Sequence, residues 1–201
     1  MNLAKISTDF HRFRNRKCMF ICGHQWQSAF PEFCPHPLRP DHGAHSKQRS
    51  MKKKVTGKDL RKEAPRSPRI RVGGYAILGR TIDKCRALVA GKIGEYHFDC
   101  PLDNTLFGFK GVRGDDFKAQ IEQGAGDQEM VEWLNQSGEK KTPEEIRRWC
   151  EEVEASSLYH HPEKREFFSE EVKKLGLDPE KTTTFEWLEI DDRVSHAQQA
   201  A

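Results

Sequence analysis

Residues 75–91 read "YAILGRTIDKCRALVAG", and the reading of this stretch decides the fold. Tyr75, Leu78, Ile82, Cys85 and Val89 recur at steps of three and four, so they fall on one stripe of a helix with about 3.6 residues per turn. Gly91 follows as a stop, because glycine adopts the left-handed conformation that closes a helix. The opposite side is unusual. Arg80 lies almost opposite the centre of the stripe, flanked by Asp83 and Lys84, with the small residues Ala76, Gly79 and Ala87 around them. A solvated face tolerates almost any polar residue. Small residues beside opposite charges instead let another part of the chain approach closely, so the spacing predicts a half-buried polar network. Its partners are expected in the Cys100–Asp103 turn or in the segment from Trp187 to Asp191.

Working outward from this helix, the rest of the chain to residue 196 is also helical in pattern. "DDFKAQIEQG" (115–124) pairs Phe117 with Ile121, and "DQEMVEWLNQSG" (127–138) stripes Met130, Trp133 and Leu134. "TPEEIRRWCEEVEASS" (142–157) has the clearest start, a capping box of Thr142 and Glu145 around Pro143. "PEKREFFSEEVKKLG" (162–176) and "TTFEWLEIDD" (183–192) complete the set. Only "EYHFD" (95–99) alternates like a strand, and one short strand builds no sheet. The pattern therefore predicts a mainly α fold: a compact single-domain helical bundle of about six helices with at most one short extended segment. Trp133, Trp149 and Trp187 each lie on an apolar stripe and are expected in the core.

Composition divides the chain. It has 201 residues, 35% hydrophobic and 32% charged, with a net charge of +3. The first 50 residues hold eight Lys or Arg against three Asp or Glu, leaving 26 against 28 beyond them. The organisation expected is a disordered tail over 1–50, a basic linker over 51–69, a helical domain over 70–196 and a disordered C-terminus over 197–201. Met51 begins "MKKKVTGKDL" where composition changes abruptly, so the tail also reads as sequence translated upstream of a start at Met51. Its Cys18, Cys22, Cys34 and histidines are irregularly spaced among four prolines, unlike paired zinc ligands. No apolar run approaches the about 20 residues of a membrane span, and the N-terminus lacks a secretory pattern, so cytoplasmic residence is expected. Lys and Arg gather on the tail and the 51–69 segment rather than on a helical face, which argues against nucleic acid as the partner.

The stretch from Ser67 to Asp103 resembles the signature of a bacterial family of domains of unknown function, DUF5069. The shared elements are Gly73-Gly74-Tyr75, the helix with Arg80, Asp83, Lys84 and Arg86, then Gly94-Glu95-Tyr96, and the Cys100-Pro101-x-Asp103 end. The closing "FEWLEIDD" is similar through Trp187, Leu188 and Asp191. The resemblance spans about residues 57–196. It implies where a site lies and names no chemistry.

The candidate ligand-binding residues are Arg80, Asp83, Lys84, Arg86, Tyr96, His97, Cys100 and Asp103. Arg and Lys on one helix face suit an anionic ligand or an acidic partner segment, with Asp83 holding them in place. The residues thus favour a binding or interaction module. The alternative is an enzyme acting on a small anion, with Asp83 or His97 as proton carrier and Arg80 as charge clamp. His97 and Cys100 fall on opposite sides of an extended segment, which disfavours a Cys–His pair. No His-x-x-x-His spacing occurs, no His-x-x-Glu pair lies within a predicted helix, and there is no phosphate-binding glycine loop, so no metal or cofactor is expected.

Overall fold

The computed structural model describes residues 55–199. The expectations for the 1–50 tail, its cysteines and histidines, and the Met51 start lie outside the described residues. Among the described residues seven α-helices follow one another: α1 (Leu78–Val89), α2 (Pro101–Lys110), α3 (Gly114–Glu122), α4 (Asp127–Gln136), α5 (Pro143–Ala155), α6 (Pro162–Lys174) and α7 (Thr184–Gln199). A 3₁₀ turn, Leu158–His160, links α5 to α6. Among the described residues there is no strand, only an isolated bridge between Val72 and Tyr75.

α1 is the hub. Nine of its twelve residues are buried, from Leu78 through Cys85 and again at Ala87. An amphipathic helix buries one stripe. This helix buries its charged side as well, including Arg80, Asp83 and Lys84. Its apolar stripe packs on Leu106 and Phe107 of α2, Phe117 and Ile121 of α3, Met130 and Leu134 of α4, Cys150 of α5 and Phe185 of α7. A second, smaller core joins Phe168 and Val172 of α6 to Trp187 of α7, roofed by Leu158, Tyr159 and Leu177.

Several expectations are corrected. α2 is the helix the sequence pattern missed. It starts on Pro101, with the Asp103 carboxylate folded back onto the Cys100 N–H, and ends at Gly111 in the left-handed conformation. The strand expected over 95–99 does not form. Gly94 and Asp99 both have positive φ (62° and 60°), which breaks an extended run. α1 begins three residues after Tyr75. Val72 and Tyr75 exchange backbone bonds of 3.1 Å around Gly73-Gly74. The φ values of those glycines, 58° and 89°, are those of a type I′ turn. Ile77 then takes φ 68°, rare for a β-branched residue, and its N–H is tied to the Pro68 carbonyl at 2.8 Å.

The described part of the basic segment, 55–69, is packed rather than a linker. Leu60 is 1% exposed, its N–H donates to the Lys92 carbonyl, and Arg66 reaches into the domain. A basic composition concealed this, because the buried residues Leu60, Pro65 and Pro68 are scattered among the cations and Arg66 and Arg69 are anchored by Asp83 and Glu189. Residues 197–199, expected as part of a disordered end, continue α7. Trp187 is fully buried as expected, but Trp133 and Trp149 are only partly covered. Trp149 stacks on Phe109, 4.5 Å between ring centres, at the edge of the core.

Candidate functional site

The charged side of α1 is divided among three sets of partners. Toward α7, Arg80 forms a bidentate pair with Asp192, at 2.6 and 3.2 Å. The Tyr96 hydroxyl donates to the same carboxylate at 2.9 Å and lies 3.0 Å from His196 Nε2. The Arg80 guanidinium also sits over the Tyr96 ring, 5.6 Å from its centre. Burial opposes the charge of Arg80, but the Asp192 carboxylate outweighs burial and holds the guanidinium above its ordinary pKa.

Toward α2, the Lys84 ammonium donates to Asp103 at 2.8 Å, to the His97 carbonyl at 3.0 Å and to Cys100 Sγ at 3.2 Å. Three donors meet three acceptors, so the buried ammonium is fully satisfied. Asp103 also accepts from Thr81 Oγ1 at 2.8 Å. Burial pulls Lys84 down, yet the Asp103 charge carries it above its ordinary pKa.

On the remaining side, Asp83 accepts three bonds from Arg66: its backbone N–H at 2.9 Å, Nε at 3.0 Å and Nη2 at 2.8 Å. Arg66 Nη1 and Arg86 Nη1 each reach Asp127, the first residue of α4, at 2.6 Å. Burial would raise the Asp127 carboxyl, but the two arginines hold it below the usual carboxylate range.

Seven of the eight candidate side chains thus enter this network: Arg80, Asp83, Lys84, Arg86, Tyr96, Cys100 and Asp103. The expected Cys100–Asp103 turn contributes; α7 contributes too, but through Asp192, one residue beyond the expected segment 187–191. The His97 side chain stays outside. It is exposed, with Nδ1 against the Glu95 carbonyl, and only its main-chain oxygen serves Lys84. His97 and Cys100 remain apart as expected, though the segment is a pair of turns and not a strand. Arg66, Thr81, Asp127, Asp192 and His196 were not anticipated. Arg66 was hidden in the basic stretch and Asp127 read as a helix cap. In "IDD" only the helical register decides which aspartate faces α1.

The charges of this network are matched internally. Each cation of α1 already has its carboxylate, so the network is a frame rather than an open receptor. Among the described residues, no three His, Cys, Asp or Glu side chains assemble as metal ligands.

The frame leads to an open cleft of about 600 Å³ before the start of α1. Its walls are Arg71 with the Gly73-Gly74 turn, Asn135 at the end of α4, and Lys140, Lys141, Pro143, Ile146 and Arg147 from the following loop and α5. Cys150 clamps the turn against α5: its Sγ accepts the Ala76 N–H at 3.2 Å and donates to the Gly74 carbonyl at 3.5 Å. Tyr75 Oη donates to Asn135 Oδ1 at 2.8 Å. No carboxylate lines the cleft. Arg71, Lys141 and Arg147 pair with Glu154, Glu139, Glu144 and Glu151 outside it, and Lys140 has no ion pair among the described residues. The sequence reading missed this cleft because its cations are spread over residues 71–147 with no local motif.

Fold and charges together define a single all-α domain built around a buried, ion-paired central helix. The chain belongs to the family described as Domain of unknown function (DUF5069), whose model matches residues 62–194. The matched span contains every ion pair of the α1 network and every residue lining the cleft; His196 alone of the network lies beyond it. No curated protein matches the chain. Among the described residues, no helix is long and apolar enough to cross a membrane.

Proposed function

We propose that this domain is a cytoplasmic binding module for a small anionic ligand, taken up in the cleft between the Gly73-Gly74 turn, Asn135 and the start of α5. The observation that carries the reading is a cleft lined by four cationic side chains and no carboxylate. This shifts the anion site away from the α1 face, where Asp192, Asp103 and Asp127 already occupy the cations. The ion pairs around the cleft are surface pairs, worth about 0–1 kcal/mol each, so a ligand can compete for those cations at small cost. A volume of about 600 Å³ suits a small molecule better than a protein segment. Cys85, Cys100 and Cys150 are free thiols, as a reducing compartment maintains them.

The test is calorimetric titration of the full chain at low ionic strength with inorganic phosphate, pyrophosphate and citrate. At least one is expected to bind saturably, more weakly as salt is raised. Lys140→Gln combined with Arg147→Gln should weaken that binding at least tenfold, whereas Lys173→Gln, exposed on α6 and outside the cleft lining, should not. If no anion binds saturably, or the double variant binds like wild type, the proposal is wrong.

A further inference from the structure

Resting on the anion-binding reading, we infer that the group the cleft receives is a phosphoryl group, carried by a phosphomonoester or by free phosphate. The groups the cleft presents are donors on three separate walls. On the first wall the amides of Gly73 and Gly74 make no hydrogen bond among the described residues. Of the carbonyls beside them, that of Gly74 is held by Cys150. On the second wall Asn135 has given its Oδ1 to the Tyr75 hydroxyl, which leaves the two N–H groups of Nδ2 uncommitted. That bond sets the sense of the Asn135 amide, with Oδ1 on the Tyr75 hydroxyl and Nδ2 on the other side. The third wall carries Lys140 and Arg147, with Arg71 beside the turn.

Charged and neutral donors on three walls call for a ligand that only accepts and that presents oxygens in three directions. A phosphoryl group does so: three terminal oxygens in a tetrahedral spread, carrying about 1.5 to 2 negative charges near neutrality. A carboxylate offers two oxygens in one plane and a single charge, enough for one guanidinium fork but not for three walls. The glycines fit this role. A Cβ on Gly74 would project toward Ile146 Cγ2, 3.9 Å away, between the turn and α5. Glycine leaves that approach to the backbone amides bare, as close contact with an oxyanion needs.

The test has two parts on the full chain. First, inorganic phosphate, glycerol phosphate and citrate are titrated by calorimetry. Phosphate or glycerol phosphate is expected to bind at least tenfold more tightly than citrate. The tighter of the two shows whether the free ion or the ester is the preferred source. Second, Asn135→Asp keeps an oxygen for Tyr75 and removes both donors of Nδ2, so phosphate binding should fall at least tenfold. If that variant fails to fold, the amide resonances of Gly73 and Gly74 in wild type decide: both must shift on phosphate addition. Citrate binding as tightly as phosphate, Asn135→Asp binding phosphate like wild type, or unmoved glycine amides would each overturn the phosphoryl assignment. Tight citrate binding would leave the anion-binding reading standing, while the failure of every anion would remove both.

Discussion

Replacing Lys84 by Met probes the frame directly. The Lys84 side chain is 3% exposed and its partner Asp103 is 0% exposed, with 2.8 Å between charges. Methionine keeps the length and apolar stem of lysine but strands the Asp103 carboxylate, which retains Thr81 Oγ1 and a long bond from the Cys100 N–H at 3.4 Å. Breaking one side of a buried pair costs about 3–5 kcal/mol. Against a typical stability of about 5–15 kcal/mol, that is about a fifth of the whole or more. For a domain of this size it lowers the midpoint by about 6–20 °C. Asp103→Leu alone should cost at least as much, since it also removes the carboxylate that caps α2. The double variant, with both charges gone, should recover most of the loss. Denaturant unfolding followed by circular dichroism measures all four proteins. The pH dependence has a definite sign. The folded pKa of Lys84 is raised, so its contribution is whole below the unfolded value of about 10.4 and disappears as pH climbs through the higher folded value. The gap between wild type and Lys84→Met should therefore be flat through neutrality and close only in strong alkali. A Lys84→Met protein within about 1 kcal/mol of wild type would refute the reasoning, because it would mean that Asp103 is not committed to this pair.

Other consequences are equally open to measurement. Asp127 has a lowered folded pKa, so its contribution is present above the ordinary carboxylate value of 3.8 and lost as pH falls through the lower one. Asp127→Asn should accordingly flatten the acid limb of the stability profile below pH about 4. In native protein, mass-spectrometric mapping of thiol labelling should find Cys85 unreactive, since burial pushes it up to about 12, with half-exposed Cys100 labelled well before it. Gly73→Ala should cost more than about 1 kcal/mol, because φ is 58° and a new Cβ would lie 2.3 Å from Val131 Cγ1. Gly74→Ala has the same backbone problem without the clash and should cost less. Trp187→Ala should cost about 3–5 kcal/mol, and Trp149→Ala, at a half-covered position, less.

Periodicity carried the fold a long way. Helices with an apolar stripe and a recognisable start, such as α5 with Thr142 and Glu145, were legible because their signals are local. α2 was not, because Cys100 is an uncommon cap and the aromatic run before it imitates a strand. The inward turn of Arg80 and Lys84 was legible from the small residues beside them, since close approach requires space at the backbone. Their partners were not: Asp192 lies 112 residues from Arg80, and Arg66 was concealed in a segment whose composition resembles a linker. The cleft was invisible for a related reason. Val72–Tyr75, Asn135 and Arg147 are far apart in sequence and meet only in the fold, where Asp127 ties α4 to Arg66 and to Arg86 of α1.

The central claim is that anions are received at the head of α1 and not along its charged face. Amide chemical-shift mapping of the ¹⁵N-labelled full chain, titrated with pyrophosphate at low ionic strength, tests it most directly. The account predicts saturable shifts gathered at Gly73, Gly74, Asn135 and Arg147, with Lys84, Tyr96 and Asp192 unmoved. Shifts gathered instead around Lys84, Tyr96 and Asp192, or none that saturate, would contradict it.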